Sequence, residues 1–93
     1  MRLDRLQKAA LRAAIEGVEG EVFLFGSRVD DAARGGDIDL LILTHEEPYP
    51  LSKRVKRRFS ERCEERLDVV VMDPDHLTRE QNAFLHVIDR RPL

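Results

Sequence analysis

Two aspartates flank a single isoleucine, Asp37-Ile38-Asp39, at the head of the apolar run DIDLLIL, residues 37–43. Side chains alternate faces along an extended chain, so both carboxylates project the same way. Their Cα atoms then lie about 6.5–7 Å apart, at a rise of ~3.3 Å per residue. Carboxylates so placed can converge on one or two divalent cations, and without a cation they repel each other. Mg²⁺ suits them, because it takes oxygen ligands and completes its shell with phosphate oxygens and water. Upstream, Gly26-Ser27 closes the short apolar run Val22-Phe23-Leu24-Phe25. Glycine there permits a sharp turn and a close approach to a ligand, and the serine hydroxyl beside exposed N–H groups can hold a phosphate. Arg28 and Arg34 can add bidentate positive charge for a triphosphate. A third carboxylate, Asp68, opens the run DVVVM, residues 68–72. Two acids holding metal and one activating an acceptor, beside a phosphate loop, are the parts of two-metal phosphoryl transfer.

The elements that must position these groups are legible from periodicity. Leu3, Leu6, Ala10, Ala14 and Ile15 recur at helical spacing until Gly17 and Gly20 end the segment. Residues 22–25 are too short for a helix and read as a buried strand. Residues 28–36 read as a loop with room for one helical turn, and 37–43 as the second strand. His45 to Pro50 is a connection marked by Pro48 and Pro50. Leu51, Val55, Phe59, Cys63 and Leu67 follow at steps of four, an amphipathic helix with a basic outer face. Asp68 to Met72, rich in β-branched residues, is the third strand. Asp73-Pro74-Asp75 is a turn or helix start, and Thr78 with Gln81 forms a capping box for a last helix bearing Phe84, Leu85 and Ile88. The order α-β-(α)-β-α-β-α predicts an α/β (α+β) domain over residues 1–93, with helices packed on a small central sheet of about three to four strands.

Composition narrows the function classes. Hydrophobic residues at 42% support a core and charged residues at 37% cover it. A chain of 93 residues buries roughly 60–65% of its unfolded surface. The net charge of -2 gives no general attraction to nucleic acid or to an anionic membrane. Its distribution is uneven, with basic residues crowded between Lys53 and Arg58 and Asp30, Asp31, Asp37 and Asp39 in the middle of the chain. Cys63, the single cysteine, excludes an intramolecular disulfide and argues against a zinc cluster. The N-terminal stretch alternates charged and apolar residues, unlike a signal peptide, and no segment has the length of a transmembrane span. A cytoplasmic protein is expected.

Phe25-Gly26-Ser27, nine intervening residues, then Asp37-Ile38-Asp39-Leu40 resembles the signature of the DNA polymerase β nucleotidyltransferase superfamily. The short chain and its Gly-Ser-Arg beginning look most like the minimal nucleotidyltransferase group, over roughly residues 20–73. The resemblance implies a mixed sheet, Mg²⁺ (two ions) held by Asp37, Asp39 and Asp68, and a triphosphate loop at Gly26 and Ser27. It also implies ATP or another NTP as substrate and AMP as the transferred group. Members of that group often accompany a small all-helical partner of the HEPN type, and several such pairs are similar to toxin–antitoxin systems in which the transferase modifies the toxin. The chain departs from the group in a short loop that carries Arg34-Gly35-Gly36 where Pro-Asp-Ser is usual.

Plainer readings compete. A bare Asp-x-Asp is weak, and the Gly-Ser offset together with Asp68 makes it specific. Ser27 also suits a turn or N-cap, and the two arginines also suit ordinary surface charge. The basic run is ordinary for a solvated helix face, so nucleic acid is not expected as a partner. His45, His76 and His86 lack ligand spacing, so metal binding by them is not expected. Cys63 falls on an apolar stripe and reads as core. Exposure of Phe84, Leu85, Val87 and Ile88 would mark a partner surface. Two further functions stand beside transfer: a non-catalytic antitoxin or binding module that masks a helical protein, and a nucleotide-sugar site, for which the chain is short. The oligomeric state and the acceptor stay open.

Overall fold

The computed structural model describes residues 2–29 and 36–93. Three helices and four strands follow in the order α1 (Arg5–Ile15), β1 (Glu21–Phe25), β2 (Ile38–Leu43), α2 (Pro48–Ser60), β3 (Leu67–Met72), α3 (Arg79–Val87) and β4 (Arg90–Pro92). The sheet is mixed, in the order β3-β2-β1-β4. β1 runs antiparallel to β2 and to β4, while β2 and β3 are parallel, joined by the crossover through α2.

The apolar run of β2 places it in the middle. Ile38, Leu40 and Ile42 pack on one face under α1 and α2, with Ala10, Leu11, Ala14, Leu24, Leu51, Val55 and Phe59. Leu41 and Leu43 face the other side, with Phe23, Phe25, Val70, Met72, the α3 residues Phe84 and Leu85, and Ile88 just after that helix. A strand covered on both faces reads as a continuous hydrophobic run, which is what the central position requires. Each fully buried Leu or Ile contributes about 1.5–3 kcal/mol relative to exposure.

Several sequence expectations shift by a turn. α1 starts at an Asp4 cap: the Gln7 amide donates to Asp4 Oδ1 at 2.7 Å and the Asp4 amide donates to Gln7 Oε1 at 3.0 Å. Its buried residues are Gln7, Ala10, Leu11 and Ala14, and Leu6 points outward, 58% exposed. The expected connection at 45–50 gives way to α2 from Pro48, since proline is tolerated in a first turn where its missing N–H has no helical partner. α2 ends at Ser60, and Cys63 and Leu67 stay buried beyond it. The capping box on α3 is present, with the Gln81 amide donating to Thr78 Oγ1 and the Thr78 amide to Gln81 Oε1, both at 3.0 Å. β4 was not expected. Three residues, two of them arginine, carry no alternation, and an edge strand tolerates the proline that a central one would not. No described helix is long and apolar enough to cross a membrane.

Candidate active site

Gly26 ends β1 at φ +77°, where a glycine avoids the penalty of a side chain, and a single 3-10 turn, Gly26–Val29, follows. A Cβ at residue 26 would meet Asp39 Oδ2 at 2.5 Å, so the turn lies directly against that carboxylate. Gly36, at φ +88°, is similarly close to Ser27, whose hydroxyl a side chain there would strike. The small residues therefore bring the Gly-Ser turn and the acids together.

The acids are assembled by strand register. Asp39 pairs with Asp68 across the parallel β2–β3 ladder, and strands there lie about 4.8 Å apart. Asp39 and Asp68 have the parity of Leu41 and Val70, so both face the side of the sheet that α3 partly covers. Asp37 lies one residue before β2 and on that side by the same alternation. Burial first, then the charges of Asp68 and Asp37, push the Asp39 carboxyl above its ordinary value. The side chains of Asp37 and Asp68 are 49% and 38% exposed. Three carboxylates that repel one another in this way are oxygen donors of the kind a divalent ion takes.

Arg66 completes this group. Its Nε lies 3.6 Å from Asp37 Oδ2 and 3.5 Å from Asp68 Oδ1. The Ile38 amide donates to the Arg66 carbonyl at 3.1 Å, extending the ladder one step past β3. Asp37-Ile38-Asp39 and Arg66-Leu67-Asp68 thus run side by side. The spacing Arg66-x-Asp68, repeating that of the aspartates, was the signal for it in the sequence.

Arg28, expected at the triphosphate, turns inward instead and is 7% exposed. Its Nε donates to the Gly36 carbonyl at 3.1 Å, and its Nη1 to the Arg2 carbonyl at 3.2 Å and to Gln7 Oε1 at 3.3 Å. Glu65 lies 3.9 Å from its Nη2. A guanidinium so engaged ties the turn after β1 to Gly36, Gln7 and Arg2, because leaving it buried without these acceptors would be unfavourable. Arg34, like Asp30 and Asp31, lies outside the described residues.

A second group forms at the opposite end of the parallel pair. His45, Asp73 and Asp75 each bring one ligand atom within 4.8 Å of the others, an arrangement able to hold a cation. His45 Nδ1 is 3.0 Å from Asp73 Oδ1 and its Nε2 is 3.2 Å from Asp75 Oδ2. The Asp75 amide, donating to Asp73 Oδ1 at 3.0 Å, is the main influence holding the Asp73 carboxyl below its ordinary value, with His76 and His45 adding to it. Histidine spacing in the sequence does not show this grouping of His45 with two aspartates. The Thr44 amide donates to the Met72 carbonyl, and the ladder so extended delivers His45 beside Asp73 from 28 residues away. Six residues of extended chain separate Asp39 from His45, about 20 Å, so this group is distinct from the Asp39 group.

The basic face of α2 is partly committed within the protein. Arg54 pairs with Glu46 at 3.3 Å, Arg58 Nη1 donates to the Glu16 carbonyl at 3.0 Å, and Lys53 sits 5.0 Å from the Tyr49 ring centroid. No curated protein matches the chain in sequence. Residues 5–91 match the family model described as nucleotidyltransferase domain, and with nearly the whole length covered the chain belongs to that family.

Proposed function

We propose that this chain transfers a nucleoside monophosphate, AMP from ATP in the leading form, to a hydroxyl of an acceptor. The observation that carries this reading is the register that sets Asp39 beside Asp68 with the Gly26 turn pressed against Asp39. Asp37, Asp39 and Asp68 would hold Mg²⁺, in two ions. Bound there, the metal would neutralise phosphate charge and acidify the acceptor hydroxyl. The protein's own groups do the rest. Gly26 and Ser27 receive the triphosphate and orient it in line, and Asp68, on the open side, takes the proton from the acceptor. The acceptor oxygen bonds to the α-phosphorus, the bond from that phosphorus to the bridging oxygen breaks, and pyrophosphate leaves with the electron pair. Arg34 belongs to this reading as a triphosphate contact.

Residues 1–93 act as one unit in this reading, in a reducing, cytoplasmic setting supported by the buried free thiol of Cys63. The acceptor is a small helical protein of the HEPN type, with the chain serving as the antitoxin of the pair. A second reading, a module that masks such a partner without turnover, is favoured by Val87, 81% exposed on α3, a helix with no fully buried residue.

Calorimetric titration with Mg²⁺ and each of the four NTPs, alongside Asp37→Ala and Asp68→Ala, tests the reading. Metal-dependent binding of one triphosphate, weakened at least about tenfold in Asp37→Ala, is expected from loss of a charge-paired ligand. Well-folded protein that binds no NTP would remove the enzyme and leave the masking module.

A further inference from the structure

Three carboxylates and one guanidinium meet where Asp37-Ile38-Asp39 lies beside Arg66-Leu67-Asp68. We propose that Arg66 is a built-in competitor for the metal position, pairing with Asp37 and Asp68 in the metal-free protein and passing to the triphosphate when a metal–nucleotide complex binds. This rests on the function proposed above.

The geometry supports an exchange of partners. One nitrogen, Arg66 Nε, approaches both carboxylates, at 3.6 and 3.5 Å, so the cation lies between two oxygens that a divalent ion would also use. These contacts are longer than charge-assisted hydrogen bonds, and the side chain is 73% exposed, so the pairing is weak enough to yield. The backbone holds still while the side chain is free to swing, because the Arg66 carbonyl accepts from Ile38 at 3.1 Å. Arg28 cannot take this role, being buried and bonded to other acceptors. Among the described residues, Arg66 is thus the guanidinium that touches the acids. A planar fork matched to phosphate oxygens is suited to the incoming triphosphate once its carboxylates are taken.

The exchange predicts effects of opposite sign from one substitution. Arg66→Gln removes the competitor, so Mn²⁺ alone should bind roughly threefold or more tighter, the scale of two exposed ion pairs. The same variant should bind Mn²⁺ with inorganic tripolyphosphate more weakly than the unsubstituted protein, because the phosphate partner is gone. Arg66→Lys, which keeps a point charge, should fall between in both titrations. Tripolyphosphate carries no base, so the outcome does not depend on which nucleotide is preferred. Calorimetry with the wild type, Arg66→Gln and Asp39→Asn, each also carrying His45→Ala so that the second group does not take Mn²⁺, reads all three. Mn²⁺ affinity unchanged or lowered in Arg66→Gln, with wild-type binding abolished by Asp39→Asn, would overturn the competitor and leave the metal site standing. Wild type that ignores Mn²⁺, or Asp39→Asn that binds it equally well, would sink the proposed site and the role of Arg66 with it. An unchanged thermal midpoint in Arg66→Gln confirms that its fold is intact.

Discussion

Asp39 carries the electrostatic strain of the site, and its consequences can be measured without substrate. Burial, Asp68 and Asp37 all raise its carboxyl above the ordinary value, so the folded chain holds the proton more tightly than the unfolded chain does. Folding then binds protons at this group, and its contribution to stability falls as pH rises through the folded value. Below the unfolded value that penalty is absent. Asp39→Asn should therefore raise the thermal midpoint of metal-free protein at pH 7, by a few degrees for a gain of under about 1 kcal/mol at this partly exposed position. The gain should shrink toward zero as pH falls below about 4, where Asp39 is protonated in both states. A midpoint difference that stays constant from pH 3.5 to 7 would contradict this account. Gly26 belongs to the same scale, since its left-handed backbone and its closeness to Asp39 Oδ2 are one constraint seen from two residues.

Among the elements, the turn after β1 is tied through Arg28 to α1 and to the segment before it. Arg28 reaches the carbonyls of Arg2 and Gly36 and the amide oxygen of Gln7, and Gln7 is the residue that closes the Asp4 capping box. The N-terminal helix cap and the Gly-Ser turn are therefore one hydrogen-bonded unit. Arg28→Met keeps an unbranched apolar stem and removes the guanidinium and its donors, leaving buried acceptors unpaired. Stability should fall by about 2–4 kcal/mol in chemical denaturation, with Arg66→Gln as the neutral control. A surface phosphate contact at Arg28 would give the reverse, normal stability with weakened triphosphate binding. The Gly-Ser turn and the Asp-x-Asp spacing make the two sides of the site legible in the sequence alone. Arg28 reads there as a phosphate contact because its neighbours in sequence are loop residues, while its partners lie 8, 21 and 26 positions away.

For the molecule as a whole, the face that carries the acids and the face that carries most of the core are separate. One side of the sheet is sealed by α1 and α2 around Phe59, Leu11, Leu24 and Ile42, all essentially buried. The other carries the acids at one end and is covered in part by α3, a helix without a fully buried residue. A chain this small has a total stability of only about 5–15 kcal/mol, so the sealed side bears most of the load. Phe59→Ala should remove about 3–5 kcal/mol and leave the protein partly unfolded near 37 °C, by circular dichroism with thermal melting. Loss of less than about 1 kcal/mol would mean that α2 is held chiefly by something other than this core.

Apolar periodicity, the two glycines, the cap residues and the aspartate spacing are local properties, and they specified the helices, the first three strands and the chemistry of the acids. Alternation along a strand states which residues share a face, so Asp37 and Asp39 were paired from sequence. It cannot state which distant segments come into register. That was decided when β3 packed parallel to β2 beneath α2, setting Asp68 beside Asp39, Arg66 beside Asp37 and Asp73 beside His45. Register is chosen by the whole buried core, because a slip of one residue would turn Ile38, Leu40 and Ile42 away from α1 and α2 and the acids into the interior. The inward turn of Arg28 and the edge strand β4 have the same origin, since acceptors and strand partners exist for them only once the sheet has formed.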